Sequence, residues 1–177
     1  MRIISGKYKR RVISPPNNLP VRPTTDMAKE SLFNILGNYT DFNGATVLDL
    51  FSGTGNIAYE FVSRGCSKVT AVDTDYGCVK FIQETAQKLD MIDLSVMRLD
   101  VFRFITTTKN SYNIIFADPP YQLPNIKDIS TLVFDNKLLD KDGWLIIEHP
   151  AEIDFSNELY FYDHRKYGRV NFSFFNI

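Results

Sequence analysis

The chain has 177 residues, of which 44% are hydrophobic and 14% aromatic, and its formal net charge is −1. This composition excludes a disordered or fibrous protein, and the length fits one globular domain spanning residues 1–177. The first residues contain no apolar leader and no apolar stretch approaches membrane-spanning length, so we expect a cytoplasmic protein without membrane contact. The two cysteines lack metal-ligand spacing, so no disulfide framework and no metal site are predicted.

The positive charge is concentrated in two short segments. Residues 1–25 contain six basic residues and no acid, so the rest of the chain carries a net charge of −7. A second basic cluster, residues 164–169, lies near the other end. Such patches on an otherwise acidic protein are typical of phosphate binding, although a short basic run is more often a solvated surface. The candidates for contact with a nucleic acid are Lys7, Lys9, Arg10, Arg11, Arg165 and Lys166.

Residues 1–22 form the predicted basic extension of the domain. Residues 1–14 alternate loosely in polarity and turn at Gly6, which predicts a short β-hairpin, and the prolines within residues 15–20 predict an extended linker. A helix follows, capped by Thr24, Thr25 or Asp26 and ended by Gly37. Its buried face is predicted from the helical spacing of Ala28, Leu32, Ile35 and Leu36.

The next segment alternates strands with helices. Residues 46–50 predict the first central strand, followed by the glycine turn 53–55 and a helix. Residues 68–72 predict a second buried strand that ends in Asp73, with another helix after it. Asp73 follows Gly53 by 20 residues, which is the spacing at which an acid can bond two ribose hydroxyls in a nucleotide-binding fold, and Asp75 is the next candidate for this contact.

The alternation continues through the middle of the chain. Residues 94–99 predict a third strand with Asp100 at its end, and residues 101–108 predict a short helix. The apolar run of residues 112–117 predicts a fourth strand, which stops at the segment Asp118-Pro119-Pro120-Tyr121 because proline cannot continue a central strand.

The last part of the chain predicts strands without an intervening helix. Residues 140–143 form a predicted turn before a fifth strand over residues 144–148. Residues 158–163 and 170–176 predict two further strands joined by a turn at residues 167–168. These two strands are expected to form an antiparallel hairpin at one edge of the sheet.

The element order predicts an α/β fold. We expect a Rossmann-like, doubly wound, mostly parallel seven-stranded sheet with an antiparallel C-terminal hairpin and a short basic N-terminal β-hairpin extension. In such sheets the first and fourth strands lie side by side, and ligands bind at their carboxyl ends. The glycine turn after the first strand and Asp118 after the fourth are therefore expected in one crevice.

The residues after the fourth strand have a specific chemical use. An exocyclic amine of a base is a poor nucleophile, and two acceptors on its N–H groups make its lone pair available. Asp118 and the carbonyl of Pro119 are the predicted acceptors, and Tyr121 offers a flat face on which a base can stack. A simple turn after a strand is the alternative explanation of this tetrapeptide.

The segment resembles the Asp/Asn-Pro-Pro-Tyr/Phe motif of methyltransferases that modify amino groups of bases with S-adenosylmethionine. The whole chain is similar to the bacterial methyltransferases that act on the N2 amino group of a guanine in 16S ribosomal RNA. The similarity rests on the residue blocks 2–8, 22–26, 32–36, 49–55, 63–65, 118–121 and 167–168.

The resemblance implies a site and a set of partners. It implies S-adenosylmethionine as cofactor, with Asp49, Gly53 and Gly55 around its methionine end, Asp73 at its ribose and Asp100 at its adenine. The remaining implied cofactor contacts are Arg22, Thr24, Phe51 and Asp118, and the implied catalytic residues are Asp118, Pro119 and Tyr121. The implied partner is 16S ribosomal RNA or the small ribosomal subunit, with the protein acting as a monomer and without a metal. This chain has Asp73 where the family usually has glutamate.

Two other functions are compatible with parts of the sequence. An adenine-N6 methyltransferase acting on DNA or RNA would use the same tetrapeptide, but 177 residues leave little room for a target-recognition domain. A non-catalytic RNA-binding adaptor could keep the fold, although the intact Asp118 and glycine turn argue against it. A nicotinamide dehydrogenase is disfavoured because the glycine turn lacks the Gly-x-Gly-x-x-Gly spacing.

Overall fold

The computed structural model describes residues 1–19 and 25–177, which form five helices and seven strands. The helices are α1 (Asp26–Tyr39), α2 (Asn56–Ser63), α3 (Tyr76–Lys88), α4 (Val101–Thr107) and α5 (Asp128–Asp135). The strands are β1 (Thr46–Leu50), β2 (Lys68–Asp73), β3 (Leu94–Arg98), β4 (Tyr112–Ala117), β5 (Leu139–His149), β6 (Phe161–Tyr167) and β7 (Val170–Asn176).

All seven strands form one sheet in the order β3-β2-β1-β4-β5-β7-β6. The five strands from β3 to β5 are parallel, whereas β7 pairs antiparallel with both β5 and β6. The chain reverses its direction across the sheet between β3 and β4, so β1 and β4 are neighbours at the point where doubly wound sheets bind ligands. The predicted fold class is confirmed.

The sheet is covered on both faces by apolar side chains. Val47 and Ile114 face the cluster that also contains the buried side of α1, α2 and α3. Leu48 and Ile115 face the opposite cluster, which α4 and α5 cover. Because both faces are buried, β1 and β4 are nearly continuous apolar runs, and the acid Asp49 is an exception that requires an explanation.

Several element boundaries differ from the predicted ones. Helix α1 continues past Gly37 to Tyr39, where Thr40 donates its backbone N–H to the carbonyl of Leu36, and it starts with a cap in which the Thr25 hydroxyl accepts the backbone N–H of Ala28. Gly37 has room and no strained backbone, so it does not end the helix. Helix α5 was not predicted.

The C-terminal strands are longer or shifted relative to the prediction. Strand β5 starts at Leu139, because the predicted turn at residues 140–143 is an irregularity within the pairing of β4 and β5. Strand β6 covers Phe161–Tyr167 instead of residues 158–163, so most of the basic cluster lies on an edge strand and not in a turn. An edge strand with exposed side chains lacks the apolar alternation that marks a strand in a sequence.

The N-terminal residues fold back on themselves as predicted, but with little regular pairing. Arg2 and Val12 form an isolated antiparallel bridge, and the chain turns between them. Gly6 in this turn has φ of +81°, and a Cβ there would lie 1.7 Å from the carbonyl oxygen of Ser63. Only glycine fits this contact, which fixes the turn against the end of α2.

A buried ion pair ties the same N-terminal residues to α1 and α2. The Nζ of Lys29 lies 3.6 Å from Oε2 of Glu60, and both side chains are fully buried. Glu60 also accepts the backbone N–H groups of Ile4 and Ser5 at 2.8 and 3.0 Å. These bonds satisfy the buried carboxylate and anchor the extension to the domain.

No helix within residues 1–19 and 25–177 has both the length and the apolar character needed to cross a membrane.

Candidate active site

The predicted cofactor and catalytic residues lie along the carboxyl edge of the parallel strands. Asp49 is within β1, the glycine turn follows β1, and Asp73 ends β2. Asp100 follows β3, and Asp118 follows β4. Because neighbouring parallel strands end at the same edge, the topology brings these residues together as predicted. Arg22 and Thr24, two further predicted contacts, lie outside the residues that the structure describes.

The glycine turn presents a strained, closely packed backbone. Phe51, Gly53 and Gly55 have φ of 58°, 51° and 81°. A Cβ at Gly55 would lie 2.9 Å from side-chain atoms of Tyr59 and Ile82, so no larger residue fits there without displacement. The turn leads directly into the first residue of α2, and a ligand that approaches this backbone would lie near the positive end of the helix.

Asp49 is a buried carboxylate with an unused oxygen. Its residue is 1% exposed, and its Oδ2 has no hydrogen-bond partner among the described residues. Burial raises the pKa of Asp49 to about 8, opposed by the backbone N–H of Ala58 and assisted by the charge of Asp73. An unpaired acid below a glycine turn fits the ammonium group of a ligand, which would supply the missing partner.

Asp73 is tied to the glycine turn. Its Oδ2 accepts the backbone N–H of Gly53 at 2.7 Å, and its Oδ1 accepts the backbone N–H of Asp75 at 2.9 Å. A carboxylate has about four acceptor sites, so two remain for ribose hydroxyls. Asp75, the alternative ribose contact, instead caps α3 by accepting the N–H of Cys78 at 2.8 Å.

Asp100 has a structural role beside its predicted one. Its Oδ1 accepts the backbone N–H of Arg103 at 2.9 Å and caps α4. The residue is exposed at the carboxyl edge, next to the ring of Phe102, which packs edge-on against Phe51 at 6.4 Å between centroids. Both rings are partly buried and pack against the apolar cluster that α4 and α5 cover.

Asp118 is half-buried, and its backbone N–H donates to the carbonyl of Leu50 at 3.3 Å. Burial raises the pKa of Asp118 well above its usual value, and the charges of Glu148 and Asp49 raise it further. Pro119 is buried and Pro120 is exposed, so the rigid segment turns out of the sheet at this point. The charges of Asp118, Glu148 and Asp49 therefore interact, and none of these three acids has an ion-pair partner among the described residues.

Tyr121 stands at the outer wall of the crevice. Its side chain is 41% exposed, which leaves part of the ring free to contact a ligand. Its hydroxyl donates to Oε1 of Glu148 at 3.0 Å. The ring is thereby held beside Asp118 by a bond that no pattern in the sequence indicated.

Glu148 is the site residue that sequence reasoning missed. It lies in β5, is 6% exposed, and has a second oxygen, Oε2, without a partner among the described residues. Burial raises the pKa of Glu148 to about 7, and the hydrogen bond from Tyr121 opposes this rise. A signal was present in the sequence: an acid follows the apolar run of the strand, at the end that neighbours Asp118.

The predicted RNA-binding residues occupy two different places. Arg165 and Lys166 are exposed on β6, and Arg165 is in register with Phe172, which is itself in register with Glu148. Two strand spacings separate Glu148 from Arg165, which is about 10 Å. Arg165 also contacts Oδ2 of Asp163 at 2.7 Å.

The N-terminal basic residues lie farther from the crevice. Lys7 is exposed near the C-terminal end of α2, where its backbone N–H donates to the carbonyl of Ser63 at 2.7 Å. Lys9, Arg10 and Arg11 follow in the same exposed turn. Helix α2 starts at the glycine turn, beside the carboxyl ends of the parallel strands, and runs back toward their amino ends. Lys7 lies near the end of α2, so it is not brought together with Asp118. Within residues 1–19 and 25–177, no group of three acids, histidines or cysteines could hold a metal ion.

Comparison with known proteins identifies relatives along the whole chain. The family described as "Conserved hypothetical protein 95" matches residues 1–176. A Bacillus subtilis (strain 168) protein named "Putative rRNA methyltransferase YlbH" is 34% identical over 158 residues, covering 87% of this chain and 85% of its own. A Buchnera aphidicola (subsp. Baizongia pistaciae) protein named "Ribosomal RNA small subunit methyltransferase D" is 32% identical, with 84% and 75% covered.

The structural similarity is equally extensive. The solved structure titled "Putative methyltransferase yhhF from Escherichia coli" superimposes with a TM-score of 0.87 at 25% identity and covers 99% of this chain and 97% of its own. The match over residues 1–176 therefore places this chain in the "Conserved hypothetical protein 95" family, and the curated relatives confirm the ribosomal RNA methyltransferase family that its motifs predicted.

Proposed function

We propose that this protein methylates ribosomal RNA with S-adenosylmethionine, and that its target is the N2 amino group of a guanine in 16S RNA. The observation that carries the proposal is the position of Asp118, which lies beside the glycine turn on one side and Tyr121 on the other. The names of the relatives support ribosomal RNA as the substrate. The choice of the guanine amino group rests on the motif resemblance.

The residues around the glycine turn fit the cofactor. The unpaired Oδ2 of Asp49 would accept the ammonium of its methionine part, and the free acceptor sites of Asp73 would accept ribose hydroxyls. Phe51, whose ring packs against Phe102, and Asp100, which caps α4, would contact its adenine. When bound, the cofactor supplies a methyl group on a positively charged sulfur.

The chain's own residues prepare the amine. Asp118 and the carbonyl of Pro119 accept its two N–H groups, and Tyr121 stacks on the base that has left the RNA helix. Asp118 must be ionised for this role, yet burial and neighbouring acids raise its pKa. A positive charge brought into the crevice favours the ionised form, so Asp118 becomes a good acceptor when the cofactor site is filled.

The surroundings of the crevice suit an RNA substrate. Arg165 lies on the edge strand in the row of Glu148, whereas Lys166 lies in the next row, which contains His149, and we assign both to phosphate groups near the target base. Residues 7–11 would bind phosphates farther along the RNA. We also propose that residues 1–177 act as one domain in a monomer, in the cytoplasm where ribosomes are assembled.

The product nucleoside tests the proposal. The protein should be incubated with radiolabelled cofactor and either 16S RNA or assembled small subunits, and the RNA then digested and analysed by mass spectrometry. We expect N2-methylguanosine in the digest. Comparison of the methyl transfer to free 16S RNA and to assembled small subunits shows which of the two the protein recognises. N6-methyladenosine or a methyl group on a ring carbon would contradict the target, and no transfer to either substrate would favour an RNA-binding adaptor.

A further inference from the structure

Glu148 is a second carboxylate beside Asp118, and the proposed methylation of the base amine assigns it no role. Ala117 in β4 is in register with Ile147 in β5, and Asp118 and Glu148 are the next residues of these two strands. Adjacent parallel strands are about 4.8 Å apart, and residues in register point to the same face. Asp118 and Glu148 are therefore neighbours, and their charges interact.

The contacts of Glu148 leave one of its oxygens available. Tyr121 donates to Oε1 at 3.0 Å, whereas Oε2 is buried and unpartnered among the described residues. The six ion pairs found among those residues include neither Glu148 nor Asp118. Packing alone does not explain a buried acid beside a half-buried one without a cation, because this arrangement costs stability.

We propose that Glu148 takes up, by way of Asp118, the proton that the base amine releases when it is methylated. This inference rests on the proposed function. In the balanced step the bond from nitrogen to the methyl carbon forms, the bond from sulfur to that carbon breaks, and one N–H bond breaks. The proton passes to Asp118, then to Glu148, and finally to water.

The arrangement gives this path a direction. Asp118 lies between β1, which carries the cofactor side of the crevice, and β5, which carries Glu148. A proton passed to Glu148 therefore moves away from the positively charged sulfur. Two adjacent carboxylates hold a single proton more easily than two full charges, which makes such a pair a suitable acceptor near neutral pH.

The groups that face Glu148 define its titration. They are Asp118 and Tyr121 on the segment after β4, while its neighbour on β7 is the apolar Phe172 and the charge of Asp49 on β1 acts on Asp118. The adjacent His149 is bonded to the carbonyl of Pro150 and to the hydroxyl of Ser173. The pKa of Glu148, raised to about 7 by burial, allows it to gain and lose a proton at working pH.

The substitution Glu148→Gln separates proton transfer from structural support. Glutamine keeps an oxygen that can accept the Tyr121 hydroxyl but cannot take up a proton. We expect the single-turnover rate of methyl transfer to fall by about 100-fold, with the rise of the rate around neutral pH lost. Affinities for S-adenosylmethionine and RNA should remain at wild-type values. Glu152→Gln, at an exposed acid four residues further on, is the matched control and should leave rate and pH profile unchanged.

A second measurement needs no activity. In protein labelled with carbon-13 at the glutamate side chains, one carboxyl signal should titrate well above the others, and Glu148→Gln should remove it. The proposal is overturned if Glu148→Gln keeps the wild-type rate and pH profile, or if no such signal exists. If instead the wild type transfers no methyl group to RNA while the raised carboxyl titration is present, the proposed function fails and the carboxyl pair remains.

Discussion

Asp49, the unpaired acid at the proposed cofactor site, links ligand binding to stability. The pKa of Asp49 rises from 3.8 to about 8 on folding. Because the folded state holds this proton more tightly than the unfolded state, the free energy of unfolding should fall as pH rises through that window. Each unit of pKa corresponds to about 1.36 kcal/mol, which sets a ceiling of about 6 kcal/mol for the cost of the ionised form.

The substitution Asp49→Asn removes this titration and keeps an oxygen for the backbone N–H of Ala58. Relaxation and entry of water lower the cost of a buried charge, so we expect a gain of about 1 to 3 kcal/mol over wild type at about pH 8 and almost none at about pH 4. The same change should weaken S-adenosylmethionine binding by about 10- to 100-fold, because it removes a bond to a charged group.

Urea unfolding across this pH range and isothermal titration measure the two effects. Asp135→Asn, at an exposed acid in the last turn of α5, is the control and should change neither quantity. The reasoning is refuted if Asp49→Asn shows the wild-type pH dependence of stability, or if it binds the cofactor with wild-type affinity.

The remaining predictions concern the ribose contact, the N-terminal turn and the basic patches. Asp73→Ala should weaken S-adenosylmethionine binding by about 1.5 to 3 kcal/mol in isothermal titration, and an unchanged affinity would move the ribose contact elsewhere. Gly6→Ala should lower the midpoint of thermal unfolding, because its Cβ would lie 1.7 Å from a backbone oxygen. Cofactor affinity should stay unchanged, and an unaltered midpoint would contradict the close packing of this turn against α2. Alanine at residues 9–11, and separately at residues 165–166, should weaken RNA binding. Each change should also reduce the logarithmic salt slope of binding by about 0.7 for each phosphate that the protein no longer contacts. Unchanged RNA binding after either change would identify that patch as a solvated surface.

The sequence was sufficient to predict the centre of the fold and the end of the parallel strands at which the candidate site residues lie. The strands β1 and β4 are buried on both faces, so their apolar runs and the residues that end them were plain in the sequence. The order of strands and helices then placed the glycine turn beside Asp118. This part of the prediction depended on topology, which follows general rules of chain connection.

The features that the sequence did not reveal depend on contacts between distant residues. Helix α5 has only eight residues and no side-chain cap at its start, so its short apolar spacing was not distinctive. The exposed strand β6 owes its pairing to β7 and not to its own pattern. Glu148 was an ordinary polar residue at a strand end until the pairing of β4 and β5 placed it beside Asp118 and Tyr121.

The role of Asp118 is the central claim, and one pair of measurements tests it most directly. Asp118→Ala should bind S-adenosylmethionine nearly as well as wild type in isothermal titration but transfer no methyl group to RNA in a radiolabel assay. Asp118→Asn, which keeps one acceptor without the charge, should retain a little activity. A fully active Asp118→Ala would contradict the account, because no other described acid follows β4 at the edge where the cofactor and the base are expected to meet.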